Sequence, residues 1–183
     1  FGGGTCDISI LEIGKSATGL YSKNIAISKF TKLGGDDVDR YITYKYTMPR
    51  FFQYNDVKES DFRTKEKQFI ATQLYKVSER LKILMCRRIA NQMYQLEIPA
   101  HYKNSSDKET ISVPVTVDTM KGILRQESFF LTAKELSDAM QVFMNKSRIA
   151  TQIKGQEDYN NIYMPINSAI QKANVRREEI DYV

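Results

Sequence analysis

The sequence is short of the residues from which metal centres and disulfide scaffolds are built. Among its 183 residues are two cysteines, Cys6 and Cys86, and one histidine, His101. Two thiols are too few for a disulfide framework, and with a single imidazole they make no metal-ligand cluster. A reducing, cytoplasmic setting fits that usage best. Long apolar runs are also missing. No stretch approaches the roughly 20 residues that cross a bilayer, and no charged start leads through an apolar segment to a small-residue cleavage site. Nor does any internal repeat or long low-complexity tract appear. What is present, 42% hydrophobic and 27% charged residues, suits a soluble globular chain able to bury a core of one or two domains.

The formal charge of +5 is concentrated in Lys58 to Arg88, which holds nine Lys or Arg against four Asp or Glu. A basic helix attracts polyanions, but this one lacks interleaved aromatics aimed at bases, so it reads as a solvated face and not as a nucleic-acid site. The chain opens on Phe1 directly before a glycine run, and Ile180 to Val183 resembles the start of a buried strand. Both ends are expected to lie within a longer protein.

The β-branched run Asp7 to Ile13, a turn at Gly14-Lys15-Ser16 and a second apolar run from about Leu20 to Phe30 predict a β-hairpin. Beyond Gly34 and Gly35, Asp36 can cap a helix on which Val38, Tyr41, Ile42 and Tyr46 recur until Pro49 ends it. From Asp61 to Arg88 the apolar residues return every three or four positions, which predicts a long amphipathic helix. Met93 to Pro99 and Ile111 to Val117, around a polar loop holding His101, predict a second hairpin, with Gly122 to Phe130 as a further strand. Thr132 and Glu135 have the spacing of a capping box. A last helix carries Ile162, Tyr163, Ile166, Ala169, Ile170 and Ala173, and Pro165 should start or kink it.

Gly2, Gly3 and Gly4 followed by Thr5 let a backbone adopt positive φ and bring amide hydrogens close to an anion. Alone, the triplet serves an ordinary turn equally well. In context the string FGGGTCDISIL resembles the second phosphate motif of the DnaK-type heat-shock chaperones and of the wider actin-like ATPase superfamily. The resemblance implies phosphate contacts from Gly2, Gly3, Gly4 and Thr5, a catalytic part for Thr5, and a second carboxylate at Asp7. The Asp that precedes the glycines in that family would fall just before Phe1, and Cys6 stands where the chaperones usually carry an aromatic. LGGDDVDR, Leu33 to Arg40, is similar to the chaperone segment that leads from the hairpin into the smaller subdomain, which implies nucleotide proximity for Gly34, Gly35 and Asp36. Asp36 can cap a helix at the same time. Glu79-Arg80-Leu81-Lys82 resembles the adenosine-holding helix, with Glu79 and Lys82 on the ribose; Ile83 takes the place of the Arg that stacks on adenine and Cys86 that of a Ser. Glu79, Lys82, Ile83 and Cys86 share one helix face, opposite Ile70, Leu74, Val77, Leu81 and Leu84. Glu79 and Lys82 could equally be a surface ion pair. The tail from Pro165 to Asp181 resembles the helices before the family's last nucleotide loop.

The fold so implied is α/β: an actin-like ATPase (ribonuclease-H-like) lobe, residues 1–34 and 131–183, with an inserted smaller α+β subdomain, residues 35–130. The implied cofactors are ATP or ADP with Mg²⁺, used by an intact parent that hydrolyses ATP to control client binding, while the chain alone should be nearly inactive. Implied partners are nucleotide, co-chaperones, an exchange factor, and unfolded client proteins held by a domain elsewhere; nucleic acid and membrane are not among them. A filament-forming actin-like ATPase and a non-catalytic interaction module that kept the fold are the alternatives.

Overall fold

The computed structural model describes residues 2–31, 33–96, 109–144, 150–151 and 159–181. The chain divides into two units, one formed by Phe1–Asp37 with Val142–Val183 and the other by Val38–Gln141.

The first unit is organised on an antiparallel hairpin of β1 (Thr5–Ser16) and β2 (Gly19–Thr31). Its turn is Ala17-Thr18, not the expected Gly14 to Ser16. Ser16 Oγ accepts the Thr18 amide at 3.3 Å, and Gly19 supplies a φ of +132° that a residue with a side chain rarely adopts. Gly14 instead lies within β1 beneath the ring of Tyr21, where a Cβ would collide with that ring. A bulge between Ile10 and Leu11 shifts the register. On one face Cys6, Ala26 and Ser28 are buried, and α5 (Tyr163–Ala173), whose Ala169 is buried, packs on both strands. The Lys172 ammonium donates to the Ile27 carbonyl at 3.2 Å. Asn161 Oδ1 accepts the Tyr163 amide at 2.9 Å, and Pro165 falls in the first turn, where its missing N–H costs nothing. Pro165 therefore starts this helix and does not kink it. A two-residue pair, β5 (Ala150–Thr151) with β6 (Tyr159–Asn160), completes the described strands of the unit.

The second unit sets a helical run and a long helix against a hairpin. The run begins with α1 (Gly35–Ile42), passes through a π-helical turn (Thr43–Thr47) and continues as α2 (Met48–Tyr54). Pro49 was expected to end the pattern, yet the helix goes on. A proline in an unbroken α-helix collides with the carbonyl four residues back and lacks a donor. The wider π turn, in which the Met48 amide reaches the Thr43 carbonyl, changes that geometry and makes Pro49 the second residue of a new helix. The long helix, α3 (Thr64–Leu96), outruns its predicted end and includes Met93, where the sequence pattern predicts a strand. The hairpin is β3 (Thr110–Thr119) with β4 (Gly122–Thr132), so the predicted third strand is the true partner of the second. His101 and residues 97–108 lie outside the described residues. So do Tyr182 and Val183, and Ile180 and Asp181 carry no strand pairing.

Along β3, Val113, Val115 and Val117 are buried and alternate with exposed neighbours, while Pro114 sits at a bulge where no ladder bond is demanded of it. α3 packs on this sheet. Its fully buried positions are Ile70, Ala71, Leu74, Ser78, Leu81 and Met85, a stripe rotated slightly from the expected one, so that Val77 and Leu84 are only half-buried. Phe51 meets Phe129 edge-on at 6.4 Å and Phe52 stacks on Phe62 at 5.4 Å.

The expected capping box starts α4 (Ala133–Met144): the Thr132 amide donates to Glu135 Oε2 at 2.9 Å and the Glu135 amide to Thr132 Oγ1 at 3.1 Å. Glu135 also pairs with Arg50 of α2. That guanidinium donates to the Phe130 carbonyl at 2.6 Å and lies 4.0 Å from the centre of the Phe130 ring. Both partners are more than four-fifths shielded from solvent. Arg50→Ala should therefore lower stability by about 2–3 kcal/mol, because it leaves a shielded carboxylate short of its cation. Glu135→Gln, which keeps an acceptor for the Thr132 amide, should cost roughly 1 kcal/mol. Urea midpoints of the two variants check the order.

Candidate functional site

One candidate element is the turn ahead of β1, in the first unit. The Gly2 amide donates to the Thr5 carbonyl at 2.8 Å and closes a tight loop. From the start of α1, the Gly35 amide donates to the Gly2 carbonyl at 2.9 Å and the Asp36 amide to the Gly3 carbonyl at 2.6 Å. The carbonyls of the turn are thus held by the helix, and the amides of Gly3 and Gly4 donate to nothing among the described residues. Two successive amides with no partner among the described residues are available to an anion.

The reason for glycine here differs from the one the sequence suggested. Positive φ among the described glycines occurs at Gly19 and Gly122, not in the triplet. Close approach imposes glycine instead. A Cβ on Gly34 would collide with the Gly3 carbonyl, and one on Gly3 would stand 3.2 Å from Asp36 Oδ1. The turn thereby brings Gly2, Gly3, Gly4, Thr5, Gly34, Gly35 and Asp36 together. Asp7 is exposed on β1, two residues beyond Thr5. Cys6 points the other way into the core, and burial pushes its thiol above the ordinary value.

A separate candidate element lies on α3, in the second unit. Glu79, Ile83 and Cys86 share an exposed face, as expected, with Ile83 38% accessible. Lys82 departs from that description. Its ammonium lies 2.7 Å from Asp39 Oδ2 on α1, and the two side chains are only 18% and 8% accessible. The expected Glu79–Lys82 surface pair is not formed, and the Glu79 side chain has no ion pair or hydrogen bond among the described residues. Asp39 belongs to a polar seam. Thr43 Oγ1 donates to the Asp39 carbonyl at 2.8 Å, and Ser78 Oγ lies 2.8 Å from Thr43 Oγ1 and 2.9 Å from Thr47 Oγ1, all three hydroxyls fully buried. Asp39, Thr43 and Thr47 recur every four residues, as Ser78 and Lys82 do. That matched spacing was the signal available in the sequence, and it gives Asp39 a part that its place in LGGDDVDR did not.

The Cys86 thiol is raised above its ordinary value, first by desolvation although the residue as a whole is exposed; Asp39 adds to the rise and Lys82 opposes it. The thiol thus senses both charges of the pair.

The Hsp70 protein family matches residues 1–124, from the glycine turn through α3 and β3 into the start of β4. No curated protein matches the chain. The family match covers more than half of the sequence, and the chain belongs to the Hsp70 family, with the mixed α/β architecture of an actin-like ATPase lobe.

The charges around Cys86 give a test of opposite signs. Asp39→Asn removes the carboxylate that raises the thiol and should lower its pKa; Lys82→Met removes the opposing cation and should raise it. The thiolate is the reactive form. The midpoint of a pH profile of Cys86 alkylation should accordingly move down in the first variant and up in the second, each relative to a parent raised above the ordinary thiol value.

Proposed function

We propose that this member of a family of ATP-binding chaperones supplies one phosphate loop and part of the nucleoside pocket of an ATP-hydrolysing domain that controls client-protein binding. The observation that carries the reading is the pair of amides at Gly3 and Gly4 with no partner among the described residues, in a turn whose carbonyls are held by the Gly35 and Asp36 amides. Backbone donors held in advance stabilise charge on a transferring phosphoryl group without reorganising, which is the main protein contribution to such chemistry. Thr5 adds a hydroxyl at the end of the turn and Asp7 a carboxylate beyond it. On the nucleoside side Glu79 and Lys82 would hold the ribose hydroxyls, with Ile83 and Cys86 beside them. Ile83 can cover an apolar base face but brings no cation to it.

The Asp36 carboxylate beside Gly3 and Gly4 bears on the choice of anion. A bare polyphosphate would be repelled there, whereas one bound to a divalent cation would not. Among the described residues no group of three His, Cys, Asp or Glu can hold a metal. A magnesium ion would arrive on the nucleotide phosphates, as is usual for that ion, with Asp36 and Asp7 as the carboxylates of the turn. Bound there, it would neutralise phosphate charge. We read the first unit as the ribonuclease-H-like subdomain and the second as the inserted one. Co-chaperones, an exchange factor and unfolded clients would act on the longer protein.

Calorimetry on the full-length protein with ATP and magnesium tests this reading directly, since absence of binding would leave only an interaction role. Gly34→Ala should remove binding, because the collision is with backbone, while Gly3→Ala should weaken it several-fold, because the Asp36 side chain can swing aside. The chain alone should show almost no turnover.

A further inference from the structure

Asp39 is tied down from two sides. Its carboxylate holds Lys82 at 2.7 Å, and its carbonyl accepts the Thr43 hydroxyl at 2.8 Å, which itself abuts Ser78 on the same helix as Lys82. Ser78 and Lys82 are four residues apart on α3, so the seam sets both the register of α1 against α3 and the direction of the lysine. Glu79, one position away from that row, is exposed and takes no part in it.

We propose that Asp39 is a positioning residue for the nucleoside, holding the Lys82 ammonium in place for the ribose hydroxyls. This rests on the nucleotide reading above. A lysine side chain has many rotamers, and fixing them on binding costs affinity by about tenfold. In this chain Asp39 fixes them before the ligand arrives, and an ammonium with three donors can serve a carboxylate and a hydroxyl together. A competing effect runs the other way. The Asp39 charge cancels that of Lys82, so its removal would strengthen attraction to a polyphosphate. Ribose hydroxyls are neutral, and for them the ordering of the lysine should decide.

The test compares ADP with 2′,3′-dideoxy-ADP, both with magnesium, on the full-length protein. The parent should prefer ADP. Asp39→Asn should weaken ADP by about tenfold and leave dideoxy-ADP nearly unchanged, and Asp39→Glu should recover most of the preference. A purely structural role would weaken both nucleotides equally, and that result overturns the proposal. Tighter ADP binding by Asp39→Asn overturns it as well, by showing that the pair obstructs the site. If the parent binds both nucleotides equally well, the ribose contact fails and the proposal with it, although nucleotide binding stands. If the parent binds neither, the nucleotide reading itself has failed.

Discussion

Burying polar groups between two helices is costly unless each finds a partner, and the second unit accepts that condition where α1 and its π turn meet α3. Asp39, Thr43 and Thr47 on one side meet Ser78 and Lys82 on the other. Apolar packing alone tolerates small slides of one helix on another. A row of hydroxyls closed by an ion pair does not, because a shift of one residue would strand a buried oxygen or a shielded charge. The aromatic packing of Phe51 on Phe129 and of Phe52 on Phe62 follows from that register, since both phenylalanines hang from the end of the same helical run.

The glycine turn obeys a different constraint. Backbone meets backbone there with no room for a side chain at Gly34, and the two hydrogen bonds from Gly35 and Asp36 fix the turn without using its outward amides. The same contact carries the Asp36 carboxylate up against Gly3. On the proposed reading, attraction from the amides and repulsion from the carboxylate would act at one spot, and the balance would favour anions that come with a cation.

Much of this was legible in the sequence, for physical reasons that differ by element. The long period of apolar residues in α3, the Thr132–Glu135 box and the first hairpin are local patterns, and local patterns leave local traces. The turn at Ala17-Thr18 was displaced because Gly14 looked like turn chemistry when its real task is to lie under Tyr21. The second hairpin was mispaired because an alternating run at Met93 to Pro99 can be read as a strand, while its beginning continues α3. In the site, glycine spacing and the Glu79 to Cys86 face were visible. The partner of Lys82 was not, since nothing nearby in sequence announces an ion pair across 43 residues. Asp39 stands in LGGDDVDR as one of three acids, and nothing local sets it apart from the other two.

The π turn at Thr43–Thr47 has one further implication. Relative to an α-helix it accommodates an extra residue, so everything after it is rotated by about 100° from where an uninterrupted helix would put it. The phenylalanines of α2 reach the core only because of that offset. A lineage that lost one codon in this stretch would remove that extra residue, and a plain α-helix would then carry Phe51 and Phe52 to the core in the same directions. Pro49 would by then stand inside an unbroken helix, so losing the wide turn would set the proline, not the phenylalanines, against the fold.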